Sequence, residues 1–351
     1  MLGKLCKAAL VTVGIVALSF GAAVAADQEL PADVVAAAKK EGKVAFYTSF
    51  FGAKAHLDII KSFEAKYGIQ VELLDVRASE MTERIRTEQT SKRYIGDVTQ
   101  NGAASLVRQH RQGFVQPHGG IPNAKNLLKE HQASEFGVPT YILGYGILIN
   151  KNQVKGDDEP KSWQDLKNPK WKGKIISDDP RALGGGNVMF SAFQDKLGDE
   201  YNTALSQQGL ILSRDVGNDE RRVARGEYPM RIPQLFSNWL ALKSLPVRFI
   251  VPAEGLPYIR FDFGILNGAP HPNAARLFIN HYLSEQVQVA YAVAGLLPVV
   301  DGILDKAGEA GAELKGIKLL GTTDVDRQDA MLDRAKQLYP CLLYTSPSPR
   351  D

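Results

Sequence analysis

Lys43-Val-Ala-Phe-Tyr-Thr-Ser-Phe-Phe-Gly-Ala-Lys-Ala-His-Leu-Asp-Ile-Ile-Lys-Ser-Phe-Glu-Ala-Lys-Tyr-Gly-Ile-Gln-Val-Glu-Leu-Leu-Asp-Val76 decides the fold class. Lys43 to Tyr47 reads as a buried strand. Leu57, Ile60, Phe63 and Tyr67 then recur with a helical period, predicting a helix over Ala53–Tyr67. Gly68 stops it, and Ile69 to Val76 is a second strand. A helix follows over Ser79–Gln89, then a short strand over Gly96–Thr99 and a helix from Ala103 to Gln112. Strands alternating with helices of this length argue for an α/β fold with a largely parallel sheet.

Outward from this stretch the pattern repeats. Val138–Asn150 is one long strand, broken by Gly144 and Gly146. A second α/β series comprises the strand Lys174–Ser177, the helix Asn187–Lys196, the strand Leu210–Arg214 and the helix Asp219–Ala224. Tyr258–Leu266 is a further strand, and Ala274–Ala294 is helical with a break near Ser284. Two α/β lobes joined by extended crossings, Val138–Asn150 and Pro252–Leu266, account for this order.

The whole chain has 351 residues, 44% hydrophobic and 23% charged. That is ordinary for a globular chain and excludes a disordered polymer or a multi-span membrane protein. Met1 to Ala26 reads as a secretory signal. Lys4 and Lys7 precede the apolar run Ala8–Phe20, and Ala23-Val24-Ala25 offers a small-x-small cleavage site. A membrane anchor is the alternative. The last eleven residues, Cys341 to Asp351, do not continue the preceding amphipathic pattern and are expected to be an artefactual or disordered tail. Outside leader and tail the net charge falls from +3 to +1, because Lys4, Lys7 and Arg350 are lost against Asp351 alone. So small a balance gives no global field for nucleic acid or an anionic membrane. The two cysteines, Cys6 and Cys341, both lie outside the expected domain, so its stability rests on its core.

Chemistry-bearing motifs are few. The six histidines show no zinc spacing, and neither a G-x-S-x-G elbow nor an S-x-x-K set occurs. No metal or cofactor is expected. The loop Ser177-Asp-Asp-Pro-Arg-Ala-Leu-Gly-Gly-Gly-Asn187 joins a strand to a helix. Gly184, Gly185 and Gly186 allow close backbone approach, Asn187 opens the helix, and Arg181 offers a two-pronged donor. Together they describe an anion cradle. A structural salt bridge of Arg181 is the alternative. Thr48, Ser49, Arg77 and Ser79 occupy the C-terminal ends of the first two strands, where open α/β sheets place ligands. Ser79 serves equally well as a helix cap. Arg231 and Asn238 are polar positions in an apolar stretch, able to line a cleft or to face solvent.

Pro160-Lys-Ser-Trp-Gln-Asp-Leu-Lys-Asn-Pro-Lys-Trp-Lys-Gly-Lys-Ile175 resembles the W-x-D-L…P-x-W-K-G-K-I signature of periplasmic solute-binding proteins of ABC importers. Gly268-Ala-Pro-His-Pro-Asn-Ala-Ala-Arg-Leu-Phe-Ile279, with Leu283-Ser-Glu-x-x-Gln288, is similar to the C-terminal signature of the same family, in its ferric-iron or family-1 branch. The resemblance implies a type II periplasmic binding protein fold, in which two lobes of mixed sheet and flanking helices close on a ligand. It implies a first lobe of residues 27–142 plus 258–340 and a second of residues 143–257. It also implies a monomer in the periplasm, an inner-membrane ABC permease as partner, and no enzymatic activity.

Ferric-binding members of that branch use adjacent tyrosines from the second lobe. Here the matching stretch reads Ile232-Pro-Gln-Leu-Phe-Ser-Asn-Trp239, without a tyrosine pair. The expected ligand is therefore a small organic anion: a carboxylate, a phosphonate or a sugar phosphate. Ferric iron is the rival within the family, and an exported α/β enzyme using the same cleft is the rival outside it.

Overall fold

The computed structural model describes residues 27–50 and 53–340. The leader and the tail lie outside them. In chain order the elements begin with α1 (Ala32–Glu41), β1 (Lys43–Thr48), α2 (Lys54–Tyr67), β2 (Gln70–Asp75), α3 (Ala78–Thr90), β3 (Val98–Gly102), α4 (Ala103–Arg111), β4 (Val115–Gln116) and β5 (Val138–Asn150). There follow β6 (Ile175–Asp178), α5 (Gly185–Lys196), α6 (Asp199–Ser206), β7 (Ile211–Ser213), α7 (Val216–Ala224), β8 (Met230–Leu235), α8 (Phe236–Leu240) and β9 (Val247–Ile250). The chain continues with β10 (Leu256–Leu266), α9 (Pro272–Tyr282), α10 (Glu285–Val293), β11 (Leu297–Pro298), α11 (Gly308–Leu314), β12 (Leu319–Gly321) and α12 (Gln328–Leu338).

The strands pair in the order β2-β1-β3-β10-β5-β8-β6-β7. The outer pairs β1–β2, β1–β3, β6–β7 and β6–β8 are parallel. The central pairs β3–β10, β10–β5 and β5–β8 are antiparallel. Each half is thus a mixed sheet, and β5 belongs to both. Val138 to Gly144 pairs with β10, whereas Tyr145 to Ile149 pairs with β8. The handover needs glycine. A Cβ on Gly146 would come within 2.5 Å of the Ile250 carbonyl oxygen, and one on Gly144 within 2.8 Å of Leu256.

Two separate cores flank this strand. Val44, Phe46, Phe63, Phe263, Phe278 and Tyr282 anchor the larger one. Ile147, Trp163, Ile175, Phe193 and Ile232 anchor the smaller one in the second half. The expected α/β architecture of two lobes and a crossing strand is the one observed. Burial of these side chains supplies most of the driving force, at about 25 cal/mol per Å² of apolar surface.

The two signature segments have structural work to do. Ser162 accepts the Gln164 N–H, and Asp165 accepts the Ser162 N–H, closing a capping box. That turn places fully buried Trp163, whose indole donates to the Gly255 carbonyl at 2.8 Å, fastening the lobe to the segment that leads into β10. Fully buried Gln288 donates to the carbonyls of Thr140 and Tyr282 and accepts the Val299 N–H, so its amide is satisfied at both ends.

Several local expectations are corrected. Helix α3 begins one residue early, so Arg77 is its N-cap position and Ser79 lies inside the first turn, with no capping bond. Helix α5 begins at Gly185, not Asn187. Helix α12, placed with the first lobe by its sequence position, packs on α5 and α6 of the second. Met331, Ala335 and Tyr339 bury there against Phe190. An amphipathic helix docks wherever its apolar stripe finds a partner, which sequence order does not reveal.

Candidate functional site

A cavity of about 390 Å³ lies where the two halves meet. From the first half come Ser49 after β1, Ala78 at the start of α3, and Asn101 to Ser105 at the junction of β3 and α4. From the second come Leu183, Gly184, Asn187 and Val188 at the start of α5. Tyr258 to Phe261 of β10 form the back wall, and Thr322, Thr323 and Gln328 complete it.

Helices α3, α4 and α5 therefore all begin at this cavity; none is capped by its own N-cap side chain, and among the described residues only α5 has a first-turn N–H, that of Gly186, bound by a carboxylate, Asp178. The first N–H groups of a helix have no partner within it and carry a partial positive charge. Three such ends converging on one space favour a negative guest. Arg260 adds a formal charge. Its Nε and Nη2 are held by Asp262, each at 2.7 Å, while Nη1 makes no hydrogen bond among the described residues. Asp262 is almost wholly buried, and that burial raises its pKa against the pull of Arg260. No carboxylate lines the cavity among the described residues, and Tyr258 is the one tyrosine on its wall.

Two amides on the wall are half satisfied. Asn101 Oδ1 accepts the Gly102 N–H at 3.0 Å, which fixes the amide orientation and leaves Nδ2 a donor without a partner. Asn187 Nδ2 donates to the Pro180 carbonyl at 3.1 Å, leaving Oδ1 an acceptor without one. Unpaired buried polar atoms are uncommon because each carries a desolvation cost.

Of the residues expected from sequence, Ser49, Gly184 and Asn187 line this cavity. The others serve elsewhere. Thr48 is buried and its hydroxyl donates to Gln100 Oε1 at 3.4 Å. Arg77 and Ser79 are exposed at the start of α3. Arg231 is buried within the second half, donating to the Pro233 carbonyl and to Gln234 Oε1, and Asn238 donates to Glu220.

The expected cradle is largely occupied by the chain's own carboxylates. Asp178 accepts the Gly186 N–H at 2.8 Å, and its burial raises its pKa. Gly185 lies against the Tyr145 ring, and Gly186 lies over the Asp178 carbonyl so tightly that a Cβ would clash at 2.5 Å. Gly184 has φ 151°, a region that side chains avoid. Arg181 is bound by Asp179 and by the Tyr339 carbonyl, so the salt-bridge alternative describes it.

Asn101, Ser105, Arg260, Thr322, Thr323 and Gln328 were not anticipated. The strand-end rule that pointed to Ser49 and Arg77 applies equally to Gln100-Asn101-Gly102, which ends the third strand. Nothing local marks the Thr322–Gln328 segment. Among the described residues no three His, Cys, Asp or Glu side chains cluster to hold a metal ion, and no helix is long and apolar enough to cross a membrane.

The family profile described as bacterial extracellular solute-binding protein matches residues 102–320. The chain belongs to that family. It is a solute-binding subunit of an ABC importer, not an enzyme. It is 28% identical over 313 residues to iron uptake protein A1 of Synechocystis, covering 80% of this chain and 82% of that protein. It is 25% identical over 246 residues to a putative 2-aminoethylphosphonate-binding periplasmic protein of Salmonella typhimurium, covering 65% of this chain and 68% of that one. A match to an uncharacterized protein of Haemophilus influenzae, 28% identical over 153 residues, spans only 44% of that protein. Among solved structures, iron-bound HitA from Pseudomonas aeruginosa superposes with a TM-score of 0.71 at 22% identity, covering 84% of this chain and 99% of that one. These structures share the type II periplasmic binding protein fold.

Proposed function

We propose that this protein captures a small organic anion between its lobes and delivers it, as a periplasmic monomer, to an ABC permease. The observation that carries this reading is the convergence of three helix N-termini, those of α3 and α4 without a side-chain cap and that of α5 sharing one N–H with Asp178, on a cavity whose wall bears Arg260 and no carboxylate. A carboxylate, phosphonate or sugar phosphate fits that charge and size.

A second reading, ferric iron, rests on relatives whose names refer to iron. Hard Fe(III) seeks phenolate and carboxylate oxygens. One tyrosine and no carboxylate on the wall argue against direct coordination there.

A thermal-shift screen of phosphonates, carboxylates and sugar phosphates, followed by calorimetry, tests the proposal. A ligand at a hundred times its Kd stabilises the fold by about 2.7 kcal/mol. Failure of every organic anion, with a visible charge-transfer band on adding Fe(III), would replace it with the iron reading. Export is tested separately: the N-terminus of protein from a Gram-negative periplasm should read Ala26 or Asp27.

A further inference from the structure

The segment between β12 and α12 touches both halves of the molecule, but unequally. Leu319 and Gly321 pair with Leu256 and Pro257 at the start of β10. Thr322, Thr323 and Gln328 then run along the cavity wall. On the second-half side the attachment is deep. The apolar face of α12 buries against Phe190, and Arg334 grips Asp199 at 2.8 and 2.6 Å. Arg327 also pairs with Asp195, and Arg181 donates to the Tyr339 carbonyl at 3.1 Å.

On the first-half side the attachment is shallow and polar. Helix α4 presents Ala104, Arg108 and Arg111 on one face, at i, i+4 and i+7. Ala104 lines the cavity. Arg108 donates to Gln328 Oε1 at 2.7 Å, and Arg111 grips both carboxylate oxygens of Asp326. Arg111 and Asp326 are 54% and 63% exposed, so water replaces their contact at small cost. When the halves part, this is the contact that yields, because the other side is an apolar core.

We propose that residues 322–328 form a strap that rides on the second lobe and latches onto α4 when the cleft closes, with Arg108 and Arg111 as the catch. The proposal rests on the lobe-closing reading above, but not on which ligand is bound. The helix that offers its N-terminus to the cavity also holds the strap, so ligand capture and latching act on one element.

Pulsed electron paramagnetic resonance measures the separation of the lobes directly. Spin labels go on Thr87→Cys and Arg221→Cys, both exposed, in a mature Cys341→Ser background. The protein is unfolded and refolded first to strip any carried solute. Arg111→Asp or Asp326→Arg alone turns the attraction into repulsion and should raise the ratio of long to short distances about two- to fivefold. The exchanged pair Arg111→Asp with Asp326→Arg should restore the parental distribution. Single variants that match the parent overturn the latch, as does an exchanged pair that stays as open as the singles. Because no ligand is added, this result stands apart from any anion screen.

Discussion

Asp179 holds Arg181 at two points, Nε to Oδ1 at 2.8 Å and Nη2 to Oδ2 at 3.1 Å. Arg214 reaches the same Oδ2 at 3.0 Å, and Arg181 goes on to the Tyr339 carbonyl. Burial alone would raise the Asp179 pKa, but the hydrogen bonds from the arginines overcome it and hold it low. The fork suited to a ligand is therefore spent on joining the loop after β6 to the end of α12.

Arg181→Ala should accordingly cost fold stability rather than affinity. A loss of roughly 1–3 kcal/mol is expected at neutral pH, since a nearly buried carboxylate loses its better partner. Because the folded pKa of Asp179 is depressed, this contribution is present above the ordinary carboxylate range and is lost as pH falls through the lowered value. Urea unfolding at pH 7 and pH 3 checks both points. Unchanged stability with tenfold weaker anion binding would return Arg181 to the ligand site.

Asp178→Asn should be tolerated and should strengthen anion binding. The carboxylate sits at the start of α5, accepting the Gly186 N–H, with its pKa raised by burial. An amide oxygen keeps that hydrogen bond and removes the competing charge. A charge near a helix end is worth roughly 0.3–1 kcal/mol, so affinity should rise about two- to fivefold. A raised folded pKa contributes stability at low pH that is lost as pH rises through it, so any gain from the substitution should appear at neutral pH and vanish in acid. Calorimetry and denaturation at two pH values decide.

Arg260→Gln combined with Asp262→Asn should abolish most anion affinity while sparing the fold. Removing Arg260 alone would strand Asp262, which is nearly fully buried. The neutral pair avoids that and keeps hydrogen-bonding groups in both places. Loss of one charged hydrogen bond predicts a drop of roughly ten- to a hundredfold in affinity. Binding equal to the parent would mean that the helix ends alone hold the ligand.

Two buried histidines should make the protein acid-sensitive well above the carboxylate range. Burial pushes His56 down to about 3 and His281 down to about 4. Phe50 stacks on the His56 ring at 4.5 Å, and Nδ1 has no partner, so a proton there is unsupported. Both histidines are neutral in the fold and protonate first in the unfolded chain. Their stabilisation is complete above about pH 6.5 and falls with pH toward those two values, at up to about 1.4 kcal/mol per unit each. Urea unfolding at pH 7.5, 6.0 and 5.0 should show this slope, and His56→Asn should flatten it. Parallel slopes for parent and variant would sink the assignment.

Much of the architecture was legible before any coordinates. Phe63, Tyr67 and Gly68 mark a helix and its stop by spacing alone, and Gly68 does cap α2 in the left-handed conformation. The glycines of Val138–Asn150 mark the crossing strand. The candidate site was less legible. Ser49 follows from the rule that ligands gather at strand ends, and Gly184 and Asn187 from the glycine-rich loop that opens a helix, but Thr322 to Gln328 arrive from far along the chain and carry no motif.

Two Arg–Asp pairs, each two residues apart, show where sequence stops. The sequence alone set each pair within reach, two residues apart, the first in a turn and the second on one face of a strand, where alternate residues point the same way, and the structure shows that both pairs form. The sequence also determined the α/β order and the family signatures, because periodicity, turn residues and short-range spacing are local properties. Which arginine keeps a donor for a ligand was decided only by the tertiary structure. Arg181 gives its remaining nitrogen to the carbonyl of Tyr339, brought to it by the docking of α12, whereas Arg260 lines the cavity and has no hydrogen bond on Nη1 among the described residues. A hydrogen-bonding group is free or spent according to what packs beside it, and packing joins residues whose separation along the chain carries no signal.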